Sequence, residues 1–309
     1  MDLGHLVEAL RANPGLRNKA PIALVREVFG AGDWLAGPGD DGAVVDGELV
    51  VGGEAILPAF VAGDPFGAGV AAVLANVNDL AAMGAVPLAI VDTVVADDHV
   101  ARQALLGMRY ASRLYDVPIV GGHLTRHDGP PALSAFGLGR APQVLSVRNA
   151  AAGQRLILAC VTEGTMRSEF PFFASFDERG ERLAGDVRTL AKVAGAGACV
   201  AAKDVSMAGM VGSLAMLLEC HRLGVTVDLD AVPVPAGVEL ADWLVAFPCF
   251  AFLLCVPAGR EDDCARAFTE RGIHTAAIGT LDSSGEVAVA AGGRRQVVID
   301  LVTEAVTGL

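Results

Sequence analysis

The chain has 309 residues and sets 23 Lys and Arg against 36 Asp and Glu, a formal charge of −13. That acidic balance excludes a nucleic-acid backbone binder, which depends on clustered cations that release counterions. The mean hydropathy of +0.48 is not a membrane signal, because the longest uncharged run, Trp243 to Gly259, is interrupted by Pro248 and Pro257 and falls short of the roughly 20 residues a bilayer span needs.

Met1 opens onto an amphipathic stretch, Leu3 to Leu10, with neither a basic n-region nor an apolar h-region, so a cytoplasmic location is expected. Leu6 and Leu10, then Ile22, Val25 and Val28, recur at helical spacing around a break at Asn13-Pro14-Gly15. This predicts two helices in an N-terminal helical arm, residues 1–36. The turn-rich Gly37-Pro38-Gly39-Asp40-Asp41-Gly42 then leads into paired strands at 43–45 and 48–52. A long helix is predicted over 68–83, closed by Gly84. Next come a β-branched strand at 87–95, a helix over 100–115, and a short strand at 117–120 that stops at Gly121-Gly122. Strands at 133–138 and 143–147 follow, and the boundary of a first domain, 37–145, falls in the Gly139–Gly153 stretch.

The second domain, 146–309, restarts the alternation. It has strands at 156–161, 225–229, 252–256 and 276–278, and helices in 187–194 and 207–223. The fold class is therefore α/β, of α+β type, in two domains. The six cysteines lie scattered through apolar segments without a CxxC pair, which fits buried reduced thiols better than a disulfide framework or a zinc site.

Four short segments carry chemistry. Gly39-Asp40-Asp41-Gly42 offers two adjacent carboxylates, either an ordinary turn or ligands for a hard cation such as Mg²⁺. Asn76-Val77-Asn78-Asp79 interrupts an apolar helical run; its polar groups form either a solvated face or a site into which Asp79 points. Gly121-Gly122-His123-Leu124-Thr125 reads as a loop after a strand, where glycines let a ligand approach the backbone. His123 and His127 have HxxxH spacing, but the flanking glycines and prolines argue against the helix a zinc pair needs. Lys203-Asp204-Val205-Ser206 reads as a charged loop with Ser206 as N-cap of the next helix, and equally as an anion site. Neither a P-loop nor a Rossmann glycine motif is present.

In order, GDDGAVV (39–45), ANVNDLAAMGAVP (75–87), IVGGHLT (119–125) and KDVSMAGMVGSLAMLLE (203–219) resemble the aminoimidazole-ribonucleotide (AIR) synthetase superfamily. That superfamily also includes thiamine-monophosphate kinase, selenophosphate synthetase and a hydrogenase-maturation dehydratase. The resemblance implies an N-terminal mixed sheet that forms a barrel with a second subunit and a C-terminal α/β sandwich, with ATP between the halves. It implies Asp40, Asp41, Asp79 and Asp204 as Mg²⁺ ligands. Gly39, Asn78, Gly121, Gly122, Thr125, Lys203 and Ser206 would line the nucleotide site. His123 would contact the acceptor or the transferred phosphate. Lys19, either an exposed arm residue or a lid over the phosphates, would stabilise charge on the transferred group.

The expected activity is ATP- and Mg²⁺-dependent phosphoryl transfer to, or transient activation of, a small-molecule acceptor by a homodimer. A small-molecule kinase and a non-catalytic nucleotide-binding scaffold are the alternatives. No nucleic-acid or membrane partner is expected. Thiamine-monophosphate kinases carry an acidic segment where this chain has Phe247-Pro248-Cys249-Phe250-Ala251-Phe252, so anchors for that substrate are missing.

Overall fold

The computed structural model describes residues 2–30, 39–167 and 170–309. Gly37 and Pro38 of the glycine-rich loop, and residues 31–36 of the arm, lie outside the described residues. The arm folds as α1 (Leu3–Ala12), α2 (Pro14–Arg17) and α3 (Ala23–Phe29). The Asp2 carboxylate caps α1 by accepting from the Gly4 N–H. The apolar face made by Leu3, Leu6, Val7 and Leu10 is buried against the C-terminal half, so this part of the arm is docked along the body.

The N-terminal half contains β1 (Ala43–Val45), β2 (Leu49–Ile56), α4 (Pro58–Gly63), α5 (Pro65–Ala82), β3 (Val86–Ala96), α6 (Asp98–Tyr115), β4 (Ile119–Arg126) and β5 (Ala132–Arg140). The strands form one sheet ordered β1-β2-β5-β3-β4, antiparallel except for β3 with β4. Helices α5 and α6 pack on one face. Among the described residues no element packs on the other face, which exposes Val51, Val91 and Phe136. Gly121 and Gly122 do not end a strand. They lie inside β4, paired with Val91 and Asp92, and edge position lets two glycines be carried where a central strand would lose packing.

The C-terminal half contains β6 (Arg155–Cys160), β7 (Thr165–Met166), β8 (Phe172–Ala174), α7 (Phe176–Arg179), α8 (Arg182–Val187), α9 (Thr189–Gly195), β9 (Ala201–Asp204), α10 (Gly209–Glu219) and β10 (Gly224–Asp228). It continues with α11 (Leu240–Val245), β11 (Phe247–Pro248), β12 (Ala251–Val256), α12 (Glu261–Thr269), β13 (His274–Asp282), β14 (Glu286–Ala291) and β15 (Arg294–Asp300). Seven strands form a sheet ordered β15-β14-β10-β13-β6-β12-β9, and β11, β8 and β7 form a small second one.

On β12, Phe252, Leu254 and Val256 join one apolar cluster while Ala251, Leu253 and Cys255 join the other. A strand buried on both faces reads as a continuous apolar run, which accounts for the end of the uncharged Trp243–Gly259 stretch. The first cluster also contains Val70, Val73, Leu74 and Val77 of α5, so it spans both halves. The expected strand at 143–147 is not formed. Leu145 N–H donates to the Met83 carbonyl, and the Val147 N–H is taken by the Asp40 carboxylate, leaving no sheet partner.

Candidate active site

Three acidic residues converge where the halves meet. Asp41 lies on the loop before β1, Asp79 near the end of α5, and Asp204 at the end of β9; one carboxylate oxygen from each lies within 4.8 Å of the others. The Lys203–Asp204 segment is no loop: it is the end of an edge strand paired with β12, Lys203 opposite Leu253 and Asp204 opposite Phe252. The Lys203 ammonium pairs with Asp41 and lies 3.5 Å from Asp204 Oδ1. The Asp204 N–H donates to Asp41 Oδ2 at 3.4 Å.

Electrostatics extend the group. Burial and the charges of Asp204, Asp41 and Glu54 push the Asp79 carboxyl well above the usual carboxylate range. Burial, then the Asp41 charge, raises Asp204 to about 6, against the pull of Lys203 and Lys19. Burial raises Glu54 on β2 as well, with Lys19 and Lys203 opposing. Burial alone would lower the Lys203 pKa, but Asp41 and Asp204 outweigh it and hold the ammonium above its ordinary range. Four carboxyl groups thus face two ammonium groups, so their full ionisation leaves an excess of negative charge that a divalent cation would compensate.

A cation must displace the protons that these carboxyls retain. Affinity for Mg²⁺ or Mn²⁺ is therefore expected to weaken roughly tenfold per unit as pH falls below about 6, with proton release on binding. Calorimetry in two buffers of different ionisation enthalpy measures both effects.

The neighbouring polar groups have specific tasks. Asn76 Nδ2 donates to the carbonyls of Ala72 and Ala135, which ties α5 to β5. Asn78 Nδ2 donates to the Cys249 carbonyl at 3.2 Å, which ties the same helix to the other half. Asn78 Oδ1, Asp204 Oδ1 and Ser206 Oγ are buried without a hydrogen-bond partner. Three carboxylates gathered around one point, with buried oxygens of the sequence neighbours Asn78 and Ser206 that accept no hydrogen bond, suit a hard cation and its ligands, so the residues present fit Mg²⁺.

Other expected residues lie elsewhere. The Asp40 carboxylate accepts from Ser146 Oγ at 2.6 Å and Val147 N–H at 2.7 Å, outside the group that Asp41 joins. Gly39 lies beside Val147. Ser206 is not the N-cap of α10, a position Ala208 holds; its N–H is taken by Ser213 Oγ at 3.0 Å.

Gly121, Gly122, His123 and Thr125 are exposed on β4. In cross-strand register His123 follows Thr93, Ser134 and Ala55, whereas Glu54 follows Ala135, Asp92 and Gly122. Alternation therefore puts His123 and Glu54 on opposite faces, three strand positions apart, about 14 Å. A single chain does not bring His123 to the carboxylates. Lys19, in contrast, is near enough to act on both Asp204 and Glu54. Glu54 is the participant missed in the sequence; an acid at an inward-facing position of a half-buried strand was its one signal.

Residues 39–141 match the family model described as AIR synthase related protein, N-terminal domain, and residues 158–292 match its C-terminal counterpart. The chain belongs to the AIR synthase-related family. An uncharacterized protein of Synechocystis is 34% identical, covering 99% of this chain and 98% of its own length. A phosphoribosylformylglycinamidine synthase subunit PurL of Acidiphilium cryptum is 26% identical over 87% of this chain, which spans 41% of that protein.

Among solved structures, the HypE-HypF complex matches with a TM-score of 0.71 at 18% identity, covering 90% of this chain and 99% of that one. ThiL complexed with AMPPCP and TMP matches at 0.66 and 16% identity, covering 89% and 93%. At such identities these structures share the family's fold with this chain. Among the described residues no helix is long and apolar enough to cross a membrane.

Proposed function

We propose that this AIR synthase-related chain binds ATP through Mg²⁺ held by Asp41, Asp79 and Asp204, and passes the terminal phosphoryl group to a small-molecule acceptor or uses it transiently to activate one. The observation that carries this reading is the convergence of three carboxylates from three separate segments of both halves. ThiL, solved with a nucleotide analogue, adds a related fold that accommodates such a ligand.

Bound there, Mg²⁺ supplies charge neutralisation for the phosphate oxygens. Asp41, Asp79 and Asp204 fix the position, Lys203 orients Asp41 and Asp204, and Lys19 presents a cation from the arm. Apart from the half-buried Phe247, the Phe247–Phe252 segment is buried and closed to an acceptor. Phe250 and Phe252 are fully buried, and Phe247 and Pro248 pair with Phe172 and Phe173.

The bare sheet face supports a homodimer in which a second copy covers Val51, Val91 and Phe136 and sets its own β4, with His123, against this chain. Val91→Lys is expected to yield monomers by sedimentation velocity; a protein monomeric before substitution contradicts the dimer. The reaction is tested by titrating ATP with Mg²⁺ and assaying product across acceptor pools. Tight binding and ADP formation are expected, whereas binding without turnover in any pool supports the scaffold reading.

A further inference from the structure

We infer that Glu219 is a positioning residue for Lys19, acting through the last residues of the chain; the inference rests on the phosphoryl-transfer reading for its functional consequence. Glu219 ends α10, and its carboxylate gathers four donor groups from residues 306–308. Oε1 accepts from the N–H groups of Val306 at 2.8 Å and Gly308 at 3.2 Å. Oε2 accepts from Thr307 N–H at 3.0 Å and Thr307 Oγ1 at 2.7 Å. Successive amides around an anion make a preorganised nest, here filled by the protein's own side chain. Val306 and Thr307 are buried as a result.

The segment held this way touches the arm. A Cβ added at Gly308 would stand 3.0 Å from the Ala23 Cβ, just beyond Lys19 in the chain. On the other side of Lys19 the arm is fixed to the start of α10. Asn13 Nδ2 donates to the Ala208 carbonyl at 3.0 Å, and Leu16 packs on Gly212. Gly15 approaches the Met207 carbonyl so closely that a Cβ would overlap it at 1.8 Å. Lys19 is therefore suspended between two attachments, one at each end of α10, a rigid spacer of about 16 Å. Asp204 lies shortly before that helix, so the same spacer fixes the Lys19 backbone relative to the carboxylates.

Glu219→Gln puts an amide donor among four converging donors and should release the arm. Trypsin cleavage after Lys19 and Arg26 is expected to accelerate at least about fivefold. ATP–Mg²⁺ affinity should fall about three- to tenfold, with no further fall when Glu219→Gln is added to Lys19→Ala. A general loss of structure would weaken binding equally in both backgrounds. Removal of residues 306–309 should reproduce both effects and serves as the second variant should Glu219→Gln not fold.

Unchanged trypsin cleavage in both variants overturns the anchoring, and an undiminished affinity loss in the Lys19→Ala background overturns the action through Lys19. A wild-type protein that binds no ATP with Mg²⁺ removes the proposed function and, with it, the positioning role. Proteolysis then still decides whether Glu219 holds the arm.

Discussion

Lys203→Met is expected to destabilise the cation-free protein at neutral pH by about 3–5 kcal/mol, the usual consequence of stripping one partner from a buried ion pair. The reason is local. Lys203 is buried and neutralises Asp41 and Asp204 directly, and Asp79 shares their space. Without the ammonium, three carboxylates face each other and Glu54, with only the more distant Lys19 to offset them. The variant's melting temperature should therefore recover in two ways, on mild acidification, which protonates Asp204, and on addition of Mg²⁺. A Lys203→Met protein that melts within about 1 kcal/mol of the parent at neutral pH would show that the carboxylates are not electrostatically coupled.

Asp79→Asn should separate stability from activity in the opposite sense. Its raised pKa means that the folded chain holds the proton more tightly than the unfolded chain does. The resulting stability is fully present below the unfolded carboxyl pKa and is lost as pH rises through the higher folded value. The asparagine variant never carries the charge, so it keeps that stability at pH values where the parent's Asp79 has ionised. Above the folded Asp79 pKa the variant is expected to gain on the order of 1–2 kcal/mol, seen as a higher melting temperature with a flatter pH dependence. It should also lose phosphoryl transfer by at least about a hundredfold, since one of three cation ligands is gone. Full ATP turnover in Asp79→Asn would remove Asp79 from the proposed machinery.

These expectations rest on features of uneven visibility in the sequence. The polar interruption Asn76-Val77-Asn78-Asp79 could be read because α5 is otherwise apolar nearly all round, and its amides prove to be ties to β5 and to Cys249. Strand β9 was concealed because its two charged residues look like a loop, whereas their charges are satisfied within the acid group. Glu54 was concealed because its significance depends on which strand lies beside which, a long-range fact. His123 shows the converse. A motif marks the residue clearly, yet β4 holds it away from its own chain's carboxylates, and only the sheet register reveals that.

The apolar cluster that runs from α5 into β12 makes the seam between the halves a shared interior. The two family domains are consequently not modules that can be cut apart. Severing the chain between residues 141 and 158 would leave each piece with a broad unshielded slab, and neither should be recovered folded when expressed alone. The intact protein should melt in one transition, with Asp79 and Asp204 carried on elements that share that interior. Adjustments that accompany binding then fall to elements outside that interior, the arm and the bare sheet face.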